Sequence, residues 1–303
     1  MNKPIISACI ITFQHETYIR SCIEGALMQN FNGSYEIVIG EDCSTDETRN
    51  ICKEYAAKYP NKIRLILNSK NLGMIENWIN TLNACNGKYI AVCEGDDYWT
   101  DPYKMQIQVD FLENHPEVSL CFTNSRVLYD ETNEFSNWPI PLANKYYTAT
   151  EIMFDLVVPT CSVVFRNMIN NDITSRLLNK NYLVGDLILW LSLAEFGKLY
   201  CLNEQMVVYR RNQSSVAYKL PLEKQILLIK QHEHIAIDFQ GKYLLIEKKF
   251  LSRQYLVIGL KCLFSHDKRS IIFLKKAFSL NPRQIPHNIF YLVKRLFIKD
   301  RSI

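Results

Sequence analysis

Four short apolar runs, over residues 5–12, 35–40, 63–67 and 88–93, alternate with segments whose apolar residues recur at helical spacing. A short run that is apolar throughout suits a strand buried on both faces. Between the first two runs, Ile19, Cys22, Ile23, Ala26 and Leu27 predict an amphipathic helix over 16–29. Ser44 followed by Glu47 predicts a capping box that opens a second helix, through residue 57, and a third is predicted over 74–84. Such alternation builds βαβ units, so the expected fold class is α/β: a mainly parallel sheet flanked by helices. Open sheets of this kind bind ligands outside the carboxyl ends of their strands. Glu41-Asp42 and Glu94-Gly95-Asp96-Asp97 fall at two such ends.

After residue 100 the pattern loosens. Pro102 suits the first turn of a helix over 103–114, where its missing N–H costs nothing. Further strands are predicted over 118–124, 157–165 and 198–209, with a helix over 186–196. Residues 130–148, polar and holding Pro139 and Pro141, read as a long surface loop, and almost everything beyond Pro221 is helical in pattern. The ten cysteines form no C-x-x-C, and Cys9, Cys93, Cys121 and Cys161 sit inside apolar runs, as small buried hydrophobes of a reducing cytosol do. With 48% hydrophobic and 22% charged residues the chain is neither disordered nor collagen-like. No segment approaches the ~18 apolar residues of a membrane span, and the first apolar run ends in Gln14-His15-Glu16 without a small-residue cleavage site, so no signal peptide is expected.

The net charge of +4 hides a division. Residues 1–218 carry 18 Lys/Arg against 25 Asp/Glu, whereas residues 219–303 carry 17 against 6. Two regions are therefore expected, 1–218 and a basic helical 219–303, with different partners. Around Phe290, Tyr291, Leu292, Lys294, Arg295 and Phe297 the chain is aromatic and basic, a composition that suits an anionic membrane surface. A helical appendage with solvated lysines is the other reading. Nucleic acid is not an expected partner, since basic residues interleave with core-like leucines.

Carboxylates at a strand end can share a hard divalent cation whose remaining ligands are waters and substrate phosphates, and such a cation neutralises a diphosphate leaving group. A solvated acidic turn capping the next helix would use the same residues. The wider pattern resembles glycosyltransferase family 2. The run Ile6 to Thr12 followed by Phe13-Gln14 is similar to the family's opening strand, ending in P-T-Y-N. Ile39-Gly40-Glu41-Asp42-Cys43-Ser44-Thr45-Asp46 resembles its V-D-D-G-S-T-D, Asn71-Leu72-Gly73 its N-x-G, and Glu94-Gly95-Asp96-Asp97-Tyr98-Trp99 its D-x-D-D-x-W. Gly185-Asp186-Leu187-Ile188-Leu189-Trp190 resembles its E-D-x-x-L-W and Tyr209-Arg210 its closing Y-R. Six motifs agree in order and spacing over roughly residues 4–215.

The resemblance implies the GT-A fold and transfer of a sugar from a nucleotide diphosphate donor, a UDP-sugar, with inversion. It places Thr12, Phe13 and Asp42 on the nucleoside and Asn77 near the donor. Glu94 and Asp96 would border ribose and diphosphate, Asp96 or Asp97 would ligate a divalent cation (Mn or Mg), and Asp186 would be the catalytic base. Packing alternatives stand beside these roles: Asp42 and Asp186 as helix caps, Phe13 as core, Asn77 as a surface helix residue. Thr160, Cys161 and Ser162 resemble the family's acceptor-side strand. Three departures stand out: Ile11 replaces proline, Glu94 replaces the first aspartate, and Asn212 replaces a histidine of Y-R-x-H. The expected acceptor is a glycan or lipid-linked hydroxyl, and the expected location cytoplasmic, with peripheral attachment to the inner face of the plasma membrane as a further option. Other classes considered are a sugar nucleotidyltransferase, for which Thr12-Phe13-Gln14-His15-Glu16 lacks the glycine-rich basic loop, and a non-catalytic nucleotide-sugar binder.

Overall fold

The computed structural model describes residues 3–155, 158–180, 182–212, 221–239 and 244–282. The chain divides into two compact units: Met1–Asn179 with Val184–Tyr218, and Lys180–Leu183 with Lys219–Ile303. The first unit begins as strict alternation: β1 (Ile6–Thr12), α1 (Ile19–Leu27), β2 (Tyr35–Glu41), α2 (Thr48–Lys58), β3 (Ile63–Leu67), α3 (Met74–Ala84) and β4 (Tyr89–Glu94). It continues with β5 (Tyr98–Trp99), α4 (Lys104–Asn114), β6 (Val118–Tyr129), β7 (Glu134–Asn137), β8 (Lys145–Tyr147) and α5 (Ala149–Asp155). After a 3-10 turn at Thr160–Ser162 come β9 (Val164–Arg166), α6 (Asn171–Leu177), α7 (Asp186–Leu193) and β10 (Lys198–Arg211). The second unit holds α8 (Leu222–Asp238), α9 (Leu244–Phe264) and α10 (Ser270–Leu280).

The sheet runs β3-β2-β1-β4-β9-β6-β10-β5, with β7 beside β6 and β8 beside β10. The first four strands are mutually parallel, and β9 enters antiparallel between β4 and β6. β1 is buried along its whole length because it has a parallel partner on each side and helices against its faces. Ile6, Ala8 and Ile10 point to one face, into a core with Ile19, Cys22, Ile23 and Ala26 of α1. Each fully buried isoleucine there contributes about 1.5–3 kcal/mol. Nine of the ten cysteines are buried, and all ten are free thiols. The chain winds from β1 outward to β3 and then returns to place β4 on β1's other side. That reversal opens a crevice beyond the carboxyl ends of β1 and β4.

Several elements differ from the sequence expectation, each for a local reason. The capping box does not form. Ser44 instead donates its N–H to the buried Glu41 carboxylate at 2.6 Å and accepts from Gln14 N at 3.0 Å. Helix α2 therefore starts at Thr48, whose N–H is taken by Asp46 Oδ1 at 3.0 Å. The stretch expected as one strand over 157–165 is a 3-10 turn followed by the short β9, because Ser162 Oγ closes back on the Pro159 carbonyl at 2.7 Å. The expected loop over 130–148 contains β7 and β8, which extend the sheet. Helix α6, capped by the Asn170 side chain on Ile173 N, was not anticipated. The aromatic and basic stretch at Phe290–Phe297 lies outside the described residues.

One charge is enclosed by this packing. Lys104 opens α4 and is fully buried, its ammonium 4.4 Å from the centre of the Trp99 ring and without a hydrogen-bond partner. Burial pushes its pKa down to about 8. An unfolded lysine titrates near about 10.4, so below pH 8 the fold carries the full cost of an enclosed cation. That cost, up to about 3 kcal/mol, is lifted between the two pKa values as the folded state sheds its proton first. Lys104→Met is therefore expected to raise the unfolding free energy by up to about 3 kcal/mol at neutral pH, with the gain vanishing as pH rises through about 8 to 10.5. Urea unfolding of both proteins across that range measures the difference, and a gain independent of pH would show that the folded lysine does not titrate there.

Candidate functional site

Two loops that follow β1 and β2 lock together at the mouth of the crevice. The Gln14 side chain donates to Thr45 Oγ1 at 3.0 Å and accepts from Thr45 N at 2.9 Å. His15 N–H donates to Thr48 Oγ1 at 2.7 Å, and Glu16 and Glu47 exchange contacts with the same pair of loops. Both loops take a left-handed residue at their turn, Gln14 (φ 57°) and Cys43 (φ 62°). Beneath them Glu41, fully buried, pairs with the Arg49 guanidinium, which also reaches the Asn68 carbonyl. The sequence singles out neither Arg49 nor Asn68, and it gives no sign that Gln14 and Glu41 are tied to the facing loop. The reciprocal polar pattern across two loops is a tertiary fact and leaves no spacing signal.

Asp42 is 2% exposed, and its carboxylate accepts three hydrogen bonds at 2.9 Å, from Asn68 Nδ2, Leu72 N and Gly73 N. The N-x-G segment thus wraps the aspartate, and Gly73 permits it by taking φ 85°. Asn77 is also 2% exposed. Its amide donates to the Gly40 carbonyl at 2.9 Å and accepts from Asn68 at 3.0 Å, so it ties α3 to the end of β2. Of the packing alternatives, neither Asp42 as a helix cap nor Asn77 as a surface helix residue is observed. Phe13, by contrast, follows the end of β1, is 41% exposed and is not core. Thr12 is buried beside His15, its hydroxyl 3.2 Å from the imidazole Nδ1.

The end of β4 supplies the charge. Gly95 lies so close to β1 that a Cβ there would meet Thr12 Oγ1 at 2.6 Å and His15 Nδ1 at 2.8 Å. This contact sets the following carboxylates against the crevice. Glu94 Oε2 is buried without a hydrogen-bond partner. Burial, then the charges of Asp96 and Asp186, push the Glu94 pKa up to about 8. Asp97 is 2% exposed, accepts the Arg210 backbone N–H at 2.7 Å, and is held well above the usual carboxylate range by burial and by Asp96 and Glu94. Of the expected cation pair, then, Asp97 is committed to β10, whereas Asp96 is half-buried, with Oδ2 accepting from Asn212 Nδ2 at 3.1 Å. Asn212 occupies the place of the missing histidine and still reaches the acidic loop.

Arg210 completes the grip. Its Nε donates to the Asp96 carbonyl at 2.8 Å and its Nη1 lies 3.1 Å from Asp130, while the guanidinium sits over the rings of Tyr18 and Tyr98 at 4.7 and 5.4 Å. Asp186 begins α7 as its first residue, with Gly185 at the cap position. Its Oδ1 accepts from Leu187 N at 2.7 Å and its Oδ2 from the Thr160 hydroxyl at 3.3 Å. Burial raises its pKa above the ordinary aspartate value. Thr160 belongs to the 3-10 turn that leads into Val163, whose carbonyl accepts from Val92 N of β4 at 3.0 Å, so Asp186 is held on the β4 side, where its charge and that of Asp96 act on Glu94.

Among the described residues no three His, Cys, Asp or Glu side chains enclose a cation. Of the carboxylates at the β4 end, the half-buried Asp96 is the one a cation could reach, whereas Glu94 Oε2 is enclosed without a hydrogen-bond donor. That suits a hard divalent ion such as magnesium, which takes one or two carboxylates and completes its shell with substrate phosphates and water.

A family model described as glycosyl transferase family 2 matches residues 7–173. An uncharacterised protein of Mycobacterium tuberculosis is 36% identical over 211 residues, covering 70% of this chain and 60% of that protein. A Bacillus subtilis protein named as a teichuronic acid biosynthesis glycosyltransferase, TuaG, is 27% identical over 220 residues, 71% of this chain and 82% of its own. Among solved structures, S. aureus TarS 1–349 with UDP-GlcNAc superposes with TM-score 0.66 at 14% identity, over 91% of this chain and 81% of that one. A Pyrobaculum calidifontis mannosyltransferase with GDP-Man and Mn2+ gives 0.57 at 12%, over 92% and 86%. These last two likenesses are of fold.

The Glu41–Arg49 pair is the internal brace of the β2 loop. Arg49→Ala is expected to lower the unfolding free energy by about 3–5 kcal/mol, because it strands a fully buried carboxylate. Adding Glu41→Gln should recover most of that loss, and a chemical-denaturation double-mutant cycle measures both. Equal losses that simply add would show that the two side chains do not depend on each other.

Proposed function

Because the chain belongs to glycosyl transferase family 2, we propose that it transfers a sugar from a nucleoside diphosphate donor to a hydroxyl acceptor. The donor is a UDP-sugar, the acceptor lies in a cell-surface polysaccharide or lipid-linked glycan, and the anomeric carbon inverts. The observation that carries this reading is the convergence of Glu94, Asp96 and Asp186 at the crevice where the strand order reverses. The UDP-GlcNAc held by TarS and the teichuronic acid pathway in TuaG's name support the donor and acceptor classes.

In this reading the exposed Phe13 ring stacks on the base. Asp42, already wrapped by the Leu72 and Gly73 amides, fixes the loop that meets the nucleoside. Thr12 and Glu94 border the ribose, and Asn77 acts through the end of β2 that it ties down. Asp96 is the carboxylate that would hold the cation, and Asp97 positions it by anchoring the loop to β10. When bound, a divalent cation there would neutralise charge on the departing diphosphate. Arg210, with its Nε on the Asp96 carbonyl, keeps the loop in register for that role.

Asp186 is the general base. The Thr160 hydroxyl and the Leu187 amide orient its carboxylate, and burial strengthens it as a base. As the acceptor oxygen bonds to the anomeric carbon, Asp186 takes the hydroxyl proton. The bond from that carbon to the diphosphate oxygen breaks, and its electron pair leaves with the diphosphate. One displacement gives inversion, and no covalent sugar–enzyme intermediate is required. The basic residues 219–303 are the part of the chain that would bring this chemistry to an anionic membrane surface, where a lipid-linked acceptor resides. The charge division supports this.

A donor screen read by release of nucleoside diphosphate tests the reaction, and formation of pyrophosphate in its place would mark a nucleotidyltransferase. Asp186→Asn should keep donor affinity and lose about 10²–10⁴-fold in turnover. Turnover within threefold of wild type, about 0.7 kcal/mol of barrier, would remove Asp186 from the role of base. In the wild type, activity should fall as pH drops through the raised Asp186 pKa, earlier than for an ordinary aspartate. Asp96→Asn should abolish any cation dependence of UDP binding measured by calorimetry. Cation-dependent binding that survives the change would refute the assignment of Asp96.

A further inference from the structure

At the turn between α9 and α10 the second unit exposes large apolar side chains. Phe264 is 82% exposed and Ile271 61%, with Leu263, Ile272 and Phe278 each at least half exposed. These are not core residues displaced by chance, since the inward face of the hairpin has its own core of Tyr255, Ile258, Cys262, Phe273 and Ala277. On α10, Ile271, Lys275 and Phe278 recur at i, i+4 and i+7, so they share one outward stripe. Lys268 and Lys275 are exposed beside it.

Among the described residues from Lys268 to Leu280 the chain carries Lys268, Arg269, Lys275 and Lys276 and no acidic residue. The acidic groups nearest in the fold are already engaged: Asp267 and Glu223 pair with Arg269, and Glu233 with Lys276. We propose that the α9–α10 turn is the surface by which the protein docks on an anionic lipid bilayer. Phe264, Ile271 and Phe278 enter the boundary between headgroups and acyl chains, and Lys268 and Lys275 meet acidic headgroups. This rests on the reading of residues 219–303 as directed to a membrane, and it identifies the side chains that make the contact.

Two arguments favour a bilayer over other occupants. Phenylalanine and isoleucine interleaved with lysine on one face is the composition of a helix lying in a membrane interface, whereas lysine is depleted from protein interfaces. A second copy related by a two-fold axis would bring the same patch against itself and so set lysine against lysine. No helix among the described residues is long and apolar enough to cross a membrane.

The test is co-sedimentation of the full chain with phosphatidylcholine vesicles, with and without phosphatidylglycerol, at low and high salt. Wild type should bind only the anionic vesicles and release as salt rises, because surface charge is screened within ~10 Å at 0.1 M. Phe264→Ser/Ile271→Ser/Phe278→Ser should lower partitioning more than about tenfold, through the apolar groups withdrawn from the interface. Lys268→Ala and Lys275→Ala should each lower it about fivefold. The replaced side chains are exposed, and matching thermal melts check that the fold is kept. Phe264→Ser alone provides a milder variant with the same direction of change.

Wild type that ignores anionic vesicles overturns both this surface and the membrane reading. Wild type that binds while the triple variant binds equally overturns the surface alone and leaves the reading to residues beyond 282. A dimer in light scattering that the triple variant abolishes, without vesicle binding, assigns the face to a second copy and overturns the proposal. None of these measurements requires turnover, so a failure of the glycosyltransferase reading is seen separately, in the nucleotide-release assay.

Discussion

Like charges crowded at the end of one strand are the constraint around which this site is built. Glu94, Asp96 and Asp97 follow one another at the exit of β4, and Asp186 adds a fourth carboxylate from α7. Burial favours the protonated forms of Glu94, Asp97 and Asp186 and raises all three pKa values, and at Glu94 and Asp97 the neighbouring carboxylates add to that rise. The protein answers with hydrogen-bond donors: the Arg210 amide on Asp97, the Asn212 amide on Asp96, and the Thr160 hydroxyl and Leu187 amide on Asp186. One Glu94 oxygen, buried in the same cluster, finds no donor.

That arrangement is possible because the sheet reverses its winding between β1 and β4. The reversal puts the β1 exit, with its exposed Phe13, beside the β4 exit, with its carboxylates. One side is aromatic and neutral, the other anionic. A nucleoside diphosphate asks for such a pair of surfaces, one for the base and one for a charged group that a cation can bridge. The interlocked loops after β1 and β2 keep the two at a fixed spacing. The buried Glu41–Arg49 pair braces them from below, where a loop would otherwise be free to move.

The two units divide the chemistry by charge. The first is acidic and carries the crevice, and the second is basic with an outward apolar stripe on α10. Neither property serves the other's task. Excess lysine near the crevice would neutralise the carboxylates to which the proposed function assigns a cation and a base. Acidic groups on the α10 face would oppose a negatively charged surface.

Much of this was legible in the chain. Continuous apolar runs disclosed the parallel strands, since a strand covered on both faces leaves no room for alternation. The halt of two runs at Asp42 and at Glu94–Asp97 disclosed the acidic strand ends that border the crevice. Where the reading went astray, a contact distant in sequence had won. Ser44 was drawn off its helix by Glu41 and Gln14, and the segment before β9 curled into a 3-10 turn when Ser162 bonded back to Pro159. Residue types and their order thus determined the fold class, the crevice and the candidate carboxylates, because those follow from periodicity and from where polarity interrupts it. Which carboxylate is satisfied and which is left open was decided only in the tertiary structure: Asp97 meets an amide 113 positions away on β10, and no spacing along the chain encodes a hydrogen bond between strands.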